Sequence, residues 1–237
     1  MTNSIESVSL DVGSHADLIT GLVATTYIRT ERVDRAMSKV DRIDFMPPGI
    51  FPVQVYRDFK YKIGYGAEID QPYMHAYSLS MLEKYLKPGI KVLDIGCGSG
   101  YMIPCLLDMM DYKGQVIGID HIPQLIDFSL QNIRKNFSEY IDNGQIELYT
   151  WDGRKGFPHK APYDIIYIGA ALVKPPKKMI EQLKIGGVIF MTQSPLQRYG
   201  KFKLFEKISE TKLNETEGLP NMSFHLTDKT DQLITQV

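Results

Sequence analysis

Three glycines separated by single residues, Gly96, Gly98 and Gly100, follow an acidic residue at the end of an apolar run. The acid is Asp94, and the run from Lys91 to Ile95 predicts a buried strand. Glycine tolerates positive φ and carries no Cβ, so a ligand can approach the backbone of such a turn closely. Open α/β sheets bind ligands at the carboxyl ends of their strands. The segment therefore predicts a binding loop for a small molecule.

Two further acidic residues follow the next two predicted strands. The carboxylate of Asp120 could accept hydrogen bonds from two ribose hydroxyls, or it could cap the helix that follows. Asp152 precedes Gly153, and its carboxylate could accept from an adenine amino group, although the pair could also form a simple turn. Their positions in the series favour a ligand that contains a nucleoside.

Short aliphatic runs alternate with helical patterns after Gly89. The predicted strands are Lys91 to Ile95, Gln115 to Ile119, Ile146 to Tyr149, Tyr163 to Ile168 and Gly187 to Met191. The predicted helices are Tyr101 to Met110, Pro123 to Asn136 and Pro176 to Leu183, and the polar range 194–237 predicts only one or two more strands. This alternation is typical of an α/β fold, a Rossmann-like, doubly wound and mostly parallel sheet.

The part of the chain before the alternating region has a different character. Ser14 and Thr30 stand where they could cap two short helices, and Pro72 opens a third helical pattern. We therefore expect residues 1–88 to form a helical and irregular N-terminal extension that packs on a core domain at residues 89–237.

Composition and charge favour a globular protein without a strongly charged partner. Hydrophobic residues make up 43% and charged residues 23% of the chain, and the formal net charge is −1, which provides no long-range field for nucleic acid or an anionic membrane. Cys97 and Cys105 lack the spacing of a disulfide framework or a zinc site. We expect a cytoplasmic monomer with no metal, nucleic-acid or membrane partner.

The acid and the spaced glycines resemble motif I of the class I methyltransferases more than the G-x-G-x-x-G dinucleotide fingerprint. Longer stretches resemble one group of that class, the protein-L-isoaspartate (D-aspartate) O-methyltransferases. They are Ser14 to Ile19, Pro72 to Tyr77, Lys91 to Gly100, Gly118 to Ile122, Asp152 to Arg154, Ala161 to Asp164, Ile168 to Ala171, Gln182 to Lys184 and Leu226 to Lys229. The P-x-M-H-A segment from Pro72 to Ala76 is far more specific than the glycine loop.

The resemblance implies that the core binds S-adenosylmethionine and releases S-adenosylhomocysteine. The methyl group would pass to the α-carboxyl of isoaspartyl residues in damaged proteins and peptides, which begins their repair to aspartate. Matching positions imply these cofactor contacts: Ala67, Glu68, Ile69, Asp70, His75, Asp94, Gly96, Cys97, Gly98, Asp120, His121, Asp152, Gly153, Thr227 and Gln232. For His75 a purely structural role is an equal alternative.

Two segments depart from the family pattern. The family reads T-I-S-x-P before M-H-A, whereas this chain has Glu68 to Pro72, so Asp70 stands at the active-site serine and becomes the candidate catalytic residue. A carboxylate there repels a substrate carboxylate unless one of them binds a proton. Met191 to Ser194 replace the family's P-V-G after the fifth strand. A homologue with another methyl acceptor, or with a noncatalytic binding role, is therefore the second hypothesis.

Overall fold

Helices and strands alternate along the computed structural model, which describes residues 13–196, 198–223, 225–227 and 229–234. The helices are α1 His15–Ala24, α2 Glu31–Lys39, α3 Pro52–Val55, α4 Pro72–Leu82, α5 Met102–Met109, α6 Pro123–Asp142, α7 Lys177–Glu181 and α8 Lys229–Ile234. The strands are β1 Tyr61–Gly64, β2 Ala67–Ile69, β3 Lys91–Ile95, β4 Gln115–Asp120, β5 Ile146–Thr150, β6 Tyr163–Leu172, β7 Leu183–Leu196, β8 Arg198–Ser209 and β9 Lys212–Ser223.

The main sheet is mostly parallel, as the alternating pattern predicts. Its strand order is β5-β4-β3-β6-β7-β8-β9, in which β3 to β7 pair in parallel and the last two strands are antiparallel. A separate antiparallel hairpin pairs β1 with β2. The doubly wound, Rossmann-like α/β class is confirmed, and the parallel arrangement brings the ends of β3, β4 and β6 to one edge.

Several elements are longer than the sequence pattern predicts. Helix α6 runs past Asn136 to Asp142, with non-helical backbone angles at Phe137. Strand β7 extends past Met191 because Thr192 and Gln193 still pair with β6 on one side and β8 on the other. Hydrophobic periodicity does not register such residues, since ladder hydrogen bonds and not burial alone hold them in the strand.

The C-terminal range contains the two strands that were expected and one helix that was not. Strands β8 and β9 form a long hairpin, and Leu204 and Phe205 of β8 are buried. Phe224, which the sequence suggested as part of a strand, lies outside the described residues. Helix α8 follows at the end of the described chain.

The N-terminal helices begin at the residues that the sequence predicts. The Ser14 hydroxyl accepts a hydrogen bond from the Asp17 backbone N–H, and Thr30 accepts from Val33 in the same way. Helix α2 then packs against α5. Residues 1–12 lie outside the described residues, and the division of the chain at residue 88 stays a prediction.

Alternate residues of the central strands supply two hydrophobic layers. Leu93 and Ile95 belong to one layer, while Val92 belongs to the other, so both faces of β3 are buried. A strand buried on both faces reads as a continuous aliphatic run, which explains why these strands were predicted correctly. Among the described residues, no helix has the length and apolar character needed to cross a membrane.

Candidate active site

A cavity of about 990 Å³ opens at the carboxyl edge of the sheet. The β1–β2 hairpin, the ends of β3, β4 and β6, the turn after β5 and residues 223, 225–227, 231 and 232 contribute to its wall. The sequence-predicted site residues that line it are Ala67, Glu68, Asp70, Gly96, Gly98, Asp120, His121, Gly153, Thr227 and Gln232. Residues far apart in the chain therefore meet at the edge where α/β sheets bind ligands.

The glycine turn has the backbone that its sequence predicts. Gly96, Gly98 and Gly100 adopt φ values of 77°, 54° and 85°, which a side chain would strain. The Ile119 carbonyl accepts from the Gly96 N–H at 2.8 Å, and the Ser129 hydroxyl donates to the Gly98 carbonyl at 2.7 Å. These bonds attach the turn to β4 and α6 and keep its backbone on the cavity wall.

The Asp120 carboxylate accepts two backbone hydrogen bonds, neither of them from an N–H group within α6, and its contact with a ribose stays a prediction. One carboxylate oxygen accepts from the Ile122 N–H at 3.0 Å, and the other accepts from the Gly98 N–H at 3.3 Å. The residue also lines the cavity. Burial raises the pKa of Asp120, and the Ile122 N–H opposes that shift by stabilising the charged form. The carboxylate thus orders the turn while it faces the ligand space.

Asp94 is buried without compensation. Its side chain is 1% exposed, and neither carboxylate oxygen has a hydrogen-bond partner among the described residues. Burial, followed by the charge of Asp120, raises the pKa of Asp94 to about 8. An unpartnered buried carboxyl is costly, so a ligand with a cationic donor would satisfy a group that the protein leaves unsatisfied.

In the turn after β5, Gly153 lines the cavity and Asp152 does not. Arg154 binds the Asp152 carboxylate through Nε at 3.0 Å and Nη2 at 2.9 Å, and this pairing lowers the pKa of Asp152. Gly153 lines the cavity, where a Cβ would lie 2.4 Å from the Ile95 Cγ2 atom. The turn therefore requires glycine for close packing, whereas Asp152 does not line the cavity.

The β1–β2 hairpin carries charged residues on the face that meets the cavity. Lys62 pairs with Glu68 across the strands, and the Lys60 ammonium lies 3.1 Å from Asp70 Oδ1 one step further along. All four residues line the cavity, and we call them the charge ladder. Alternate side chains of a strand share one face, so the residues between them, including buried Ile69, turn away.

A buried cation lies near Asp70. Arg42 is 1% exposed and donates to the Phe59 carbonyl at 3.2 Å. Burial raises the pKa of Asp70, while Lys60 and then Arg42 lower it by favouring the carboxylate. The expectation of a bare carboxylate facing the substrate did not include these two cations, which neutralise much of its charge.

A family model described as protein-L-isoaspartate(D-aspartate) O-methyltransferase matches residues 13–231. The chain belongs to this family. A protein-L-isoaspartate O-methyltransferase from Caenorhabditis elegans is 38% identical over 196 residues, which cover 83% of this chain and 85% of that protein. Another from Triticum aestivum is 41% identical over 161 residues, covering 68% and 69%.

Solved structures share the methyltransferase fold. A Plasmodium falciparum protein, described as a candidate protein-L-isoaspartate O-methyltransferase and solved with S-adenosyl-L-homocysteine, superimposes with a TM-score of 0.81 at 23% identity. The match covers 90% of this chain and 98% of that one. At this identity the likeness concerns the fold, and it includes nearly all of both chains.

The segment at the methyltransferase family's P-V-G position is held by its own strands. The Thr192 hydroxyl accepts from the Asn221 side-chain amide at 2.6 Å, and the Gln193 amide donates to the Val173 carbonyl at 2.9 Å. The Ser194 hydroxyl donates to the Tyr199 carbonyl of β8 at 2.7 Å. None of these three β7 residues lines the cavity. The neighbouring strands contribute to the wall instead, with Ala170 of β6 and Ser223 of β9.

Several expected contact residues do not line the cavity of this methyltransferase. Ile69, Asp94 and Asp152 are described above. His75 is 4% exposed and its ring lies against the Tyr101 ring at a tilt of 40°, with centroids 4.7 Å apart; burial, then Arg42 and Lys60, hold its pKa well below the ordinary value. The Cys97 thiol lies 3.8 Å from the Ser129 hydroxyl, and burial raises its pKa. Burial therefore favours the neutral imidazole of His75 and the protonated thiol of Cys97.

The C-terminal contact residues connect separate parts of the cavity wall. The Gln232 side chain bonds to the His121 ring and donates to the Tyr65 carbonyl at 3.0 Å. The Leu226 N–H donates to the Ala171 carbonyl at 2.9 Å, which keeps the range leading to Thr227 against β6. Helix α8 thereby joins the β1–β2 turn to the end of β4.

Sequence reasoning missed some residues of the wall. Among them are Lys60, Lys62, Tyr65, Gly169 and His225. A signal for the lysines exists, because they alternate ahead of a glycine-containing turn and acids alternate after it at positions 68 and 70. That pattern indicates charged pairs across a hairpin. For His225 we find no local signal, since its place depends on a bridge to Ala171.

Proposed function

We propose that this methyltransferase moves the methyl group of S-adenosylmethionine to the α-carboxyl of L-isoaspartyl residues in damaged proteins, the step that begins their repair. The observation that carries the proposal is a cavity shared by the glycine turn, Asp120 and the hairpin segment at the family's active-site position. Membership of the family and the names of the relatives from Caenorhabditis elegans and Triticum aestivum support it.

The residues present fit S-adenosylmethionine. Its methionine part carries an ammonium group, and Asp94, a buried carboxyl without a partner among the described residues, directly precedes Ile95 and Gly96 of the cavity wall. Its ribose hydroxyls suit Asp120 at the cavity wall, and its flat base would lie against the part of the wall that includes Gly153. The Gly96 and Gly98 backbone would contact the methionine part.

The reaction requires positioning more than proton transfer. When bound, S-adenosylmethionine would supply an electrophilic methyl group: the C–S bond would break as the carboxylate O–C bond forms, and the bonding pair would stay on sulfur as a neutral thioether. The acceptor carboxylate is already ionised at neutral pH, so no side chain of this chain needs to act as a general base. The protein's task is to hold the carboxylate in line and to exclude water. We propose that Asp70, at the family's active-site position, belongs to the acceptor side.

A methyl-transfer assay tests the proposal directly. Labelled S-adenosylmethionine is incubated with the protein and an isoaspartyl peptide, beside the same peptide with a normal aspartyl residue. We expect label only in the isoaspartyl peptide, in a base-labile ester. Trp151, the single tryptophan of the chain, lies two residues before Gly153 of the cavity wall, so we expect its fluorescence to change when the cofactor binds.

The other outcomes correspond to the second hypothesis. Saturable cofactor binding with no transfer to either peptide would favour a noncatalytic binding role. Transfer to a small molecule but to neither peptide would favour another acceptor. The substitution of Asp70 for the family serine is the observation that keeps these alternatives open.

We also propose a cytoplasmic location. Cys97 and Cys105 are free, buried thiols, which suits a reducing compartment. A monomeric state without nucleic-acid or membrane partners stays a prediction.

A further inference from the structure

In the charge ladder, two acidic residues stand where the family segment has hydroxyl side chains, and they lie opposite two lysines. Glu68 and Asp70 stand where the family has Thr and Ser, and each faces a lysine across the hairpin. Cross-strand neighbours of opposite charge stabilise such a hairpin, whereas the acids alone would repel each other on one face. The acids and the lysines therefore have to be considered together, because each acid lies opposite a lysine.

The Lys60–Asp70 ion pair lies on the cavity wall, and both side chains are largely buried. The side chains are 18% and 17% exposed, so water screens their charges less than it would on an open surface. The buried Arg42 guanidinium also favours the charged form of Asp70, but it faces Asp58 as well and does not line the cavity. Lys60 lines the cavity itself, so its ammonium lies where an anionic ligand can reach it.

We propose that Lys60 binds the α-carboxylate of the isoaspartyl acceptor and that Asp70 positions Lys60 for this contact. The inference rests on the proposed function and assigns its acceptor-binding residue. An ammonium carries three donors in different directions, so Lys60 can hold an acceptor carboxylate while it remains bonded to Asp70. Asp70 acts through Lys60 and is a positioning residue.

The reaction gives this contact a specific energetic pattern. Lys60 can hold one carboxylate oxygen and leave the other for methyl transfer. The acceptor's negative charge disappears when the ester forms, so the attraction acts on the substrate and not on the product. An interaction that is strongest in the ground state changes KM more than kcat. Because Asp70 partly neutralises the Lys60 ammonium, the ground-state attraction between Lys60 and the acceptor carboxylate is moderate.

The first test removes the cation and keeps the length of the side chain. We expect Lys60→Met to raise KM for the isoaspartyl peptide about 10- to 100-fold, the loss of one charge-assisted hydrogen bond, and to change kcat by less than about threefold. Lys60→Arg should restore most of the affinity. Lys177→Met, at a lysine whose side chain is 89% exposed, is the matched control and should behave like wild type.

The second test separates binding of the acceptor from neutralisation of Asp70. In the Asp70→Asn background there is no carboxylate to neutralise, so a lysine needed only for that purpose would become dispensable. We expect Lys60→Met to raise KM at least about tenfold in this background as well. An unchanged KM between Asp70→Asn and the double variant would overturn the inference, and so would a wild-type KM in Lys60→Met.

A binding measurement keeps the two proposals distinguishable. A fluorescent isoaspartyl peptide is titrated with protein saturated with S-adenosylhomocysteine, beside its aspartyl twin, and Trp151 fluorescence checks that each variant still binds the cofactor product. If wild type neither binds nor methylates the isoaspartyl peptide, the proposed function fails. Suppose instead that wild type binds and methylates the isoaspartyl peptide, and that Lys60→Met weakens neither activity, whether residue 70 is Asp or Asn. The proposed function then stands and the assignment of Lys60 is wrong.

Discussion

Asp94 and Asp120 are the same residue type at the ends of neighbouring strands, yet their surroundings give them different properties. Backbone N–H groups of Gly98 and Ile122 satisfy Asp120, whereas Asp94 has no such donor among the described residues. The pKa of Asp94 therefore rises to about 8, from burial first and the charge of Asp120 second. A pKa of about 8 favours the protonated form of Asp94 at pH 7 in the ligand-free protein.

This protonation predicts that ligand binding releases a proton. The ammonium of S-adenosylhomocysteine would favour the charged carboxylate and lower the pKa of Asp94, so binding at pH 7 should release up to about one proton. Titration calorimetry in two buffers of different ionisation enthalpy measures the number released. Asp94→Asn should release none and bind at least about tenfold more weakly.

The same group has a defined effect on stability in the absence of ligand. Its pKa is raised in the folded state, so the folded protein holds a proton that the unfolded chain has lost, and the contribution of Asp94 to stability falls as pH rises from about 4 towards 8. Asp94→Asn removes this dependence. Equal proton release by wild type and Asp94→Asn would contradict the role assigned to Asp94.

At the scale of elements, one buried acid joins α2 to α5. Asp108 has a fully buried side chain that accepts from Arg35 Nε at 2.7 Å and from Lys39 Nζ at 2.9 Å. Burial alone would raise the pKa of Asp108, but the hydrogen bonds from Arg35 and Lys39 outweigh it and hold the pKa below its ordinary value. The N-terminal helices are therefore attached by charge as well as by apolar packing.

We expect Asp108→Asn to lower the free energy of unfolding by about 1–3 kcal/mol at pH 7, because it leaves the two cations without their shared carboxylate. A lowered pKa means that the stabilisation is complete above about pH 4 and disappears as pH falls through the folded-state pKa. Urea titrations at pH 7 and pH 3 should show the difference between wild type and variant shrinking at the lower pH.

Asp111 provides the matched control for this prediction. It also bonds Arg35, at 3.0 Å, but its side chain is 52% exposed. Asp111→Asn should cost less than about 1 kcal/mol, since solvent screens an exposed pair. Equal losses in the two variants would show that burial of Asp108 does not strengthen the link between the helices.

At the scale of the whole molecule, the cavity depends on residues that are distant in the chain. Tyr65, His121 and Gln232 come from a hairpin turn, the end of a parallel strand and the final helix, and hydrogen bonds connect them at the cavity. These hydrogen bonds therefore connect helix α8 to the β1–β2 hairpin and to the edge of the sheet.

We expect Gln232→Ala to weaken S-adenosylhomocysteine binding about fivefold, roughly the loss of one net hydrogen bond, because it disconnects α8 from the hairpin turn and β4. The Tm of the ligand-free protein should stay within about 2 °C of wild type, since the residue lies at the end of the chain. Trp151 fluorescence and thermal melts measure the two effects. Lys229→Ala in the same helix is the control, and a similar loss of affinity there would rule out a specific role for Gln232.

Much of the fold and the cofactor side of the site could be predicted from the sequence. Aliphatic strands, capped helices and the Gly96 to Gly100 turn leave their signals within windows of about ten residues, because burial and backbone conformation act locally. Asp120 could be predicted for the same reason, since it directly follows a recognisable strand. The family pattern added the acceptor segment around Pro72 to Ala76.

The tertiary structure decided which partners the charged residues have. By its residue type alone, Asp70 is a carboxylate that would repel the substrate. In the folded protein the hairpin register places the Lys60 ammonium 3.1 Å from Asp70 Oδ1, and the charge of Arg42 also acts on Asp70. Asp152 reads as a base contact, which stays a prediction, and the structure adds that Arg154 binds its carboxylate. The charge that a site presents depends on distances between side chains across strands and layers, and residue type at a single position does not contain those distances.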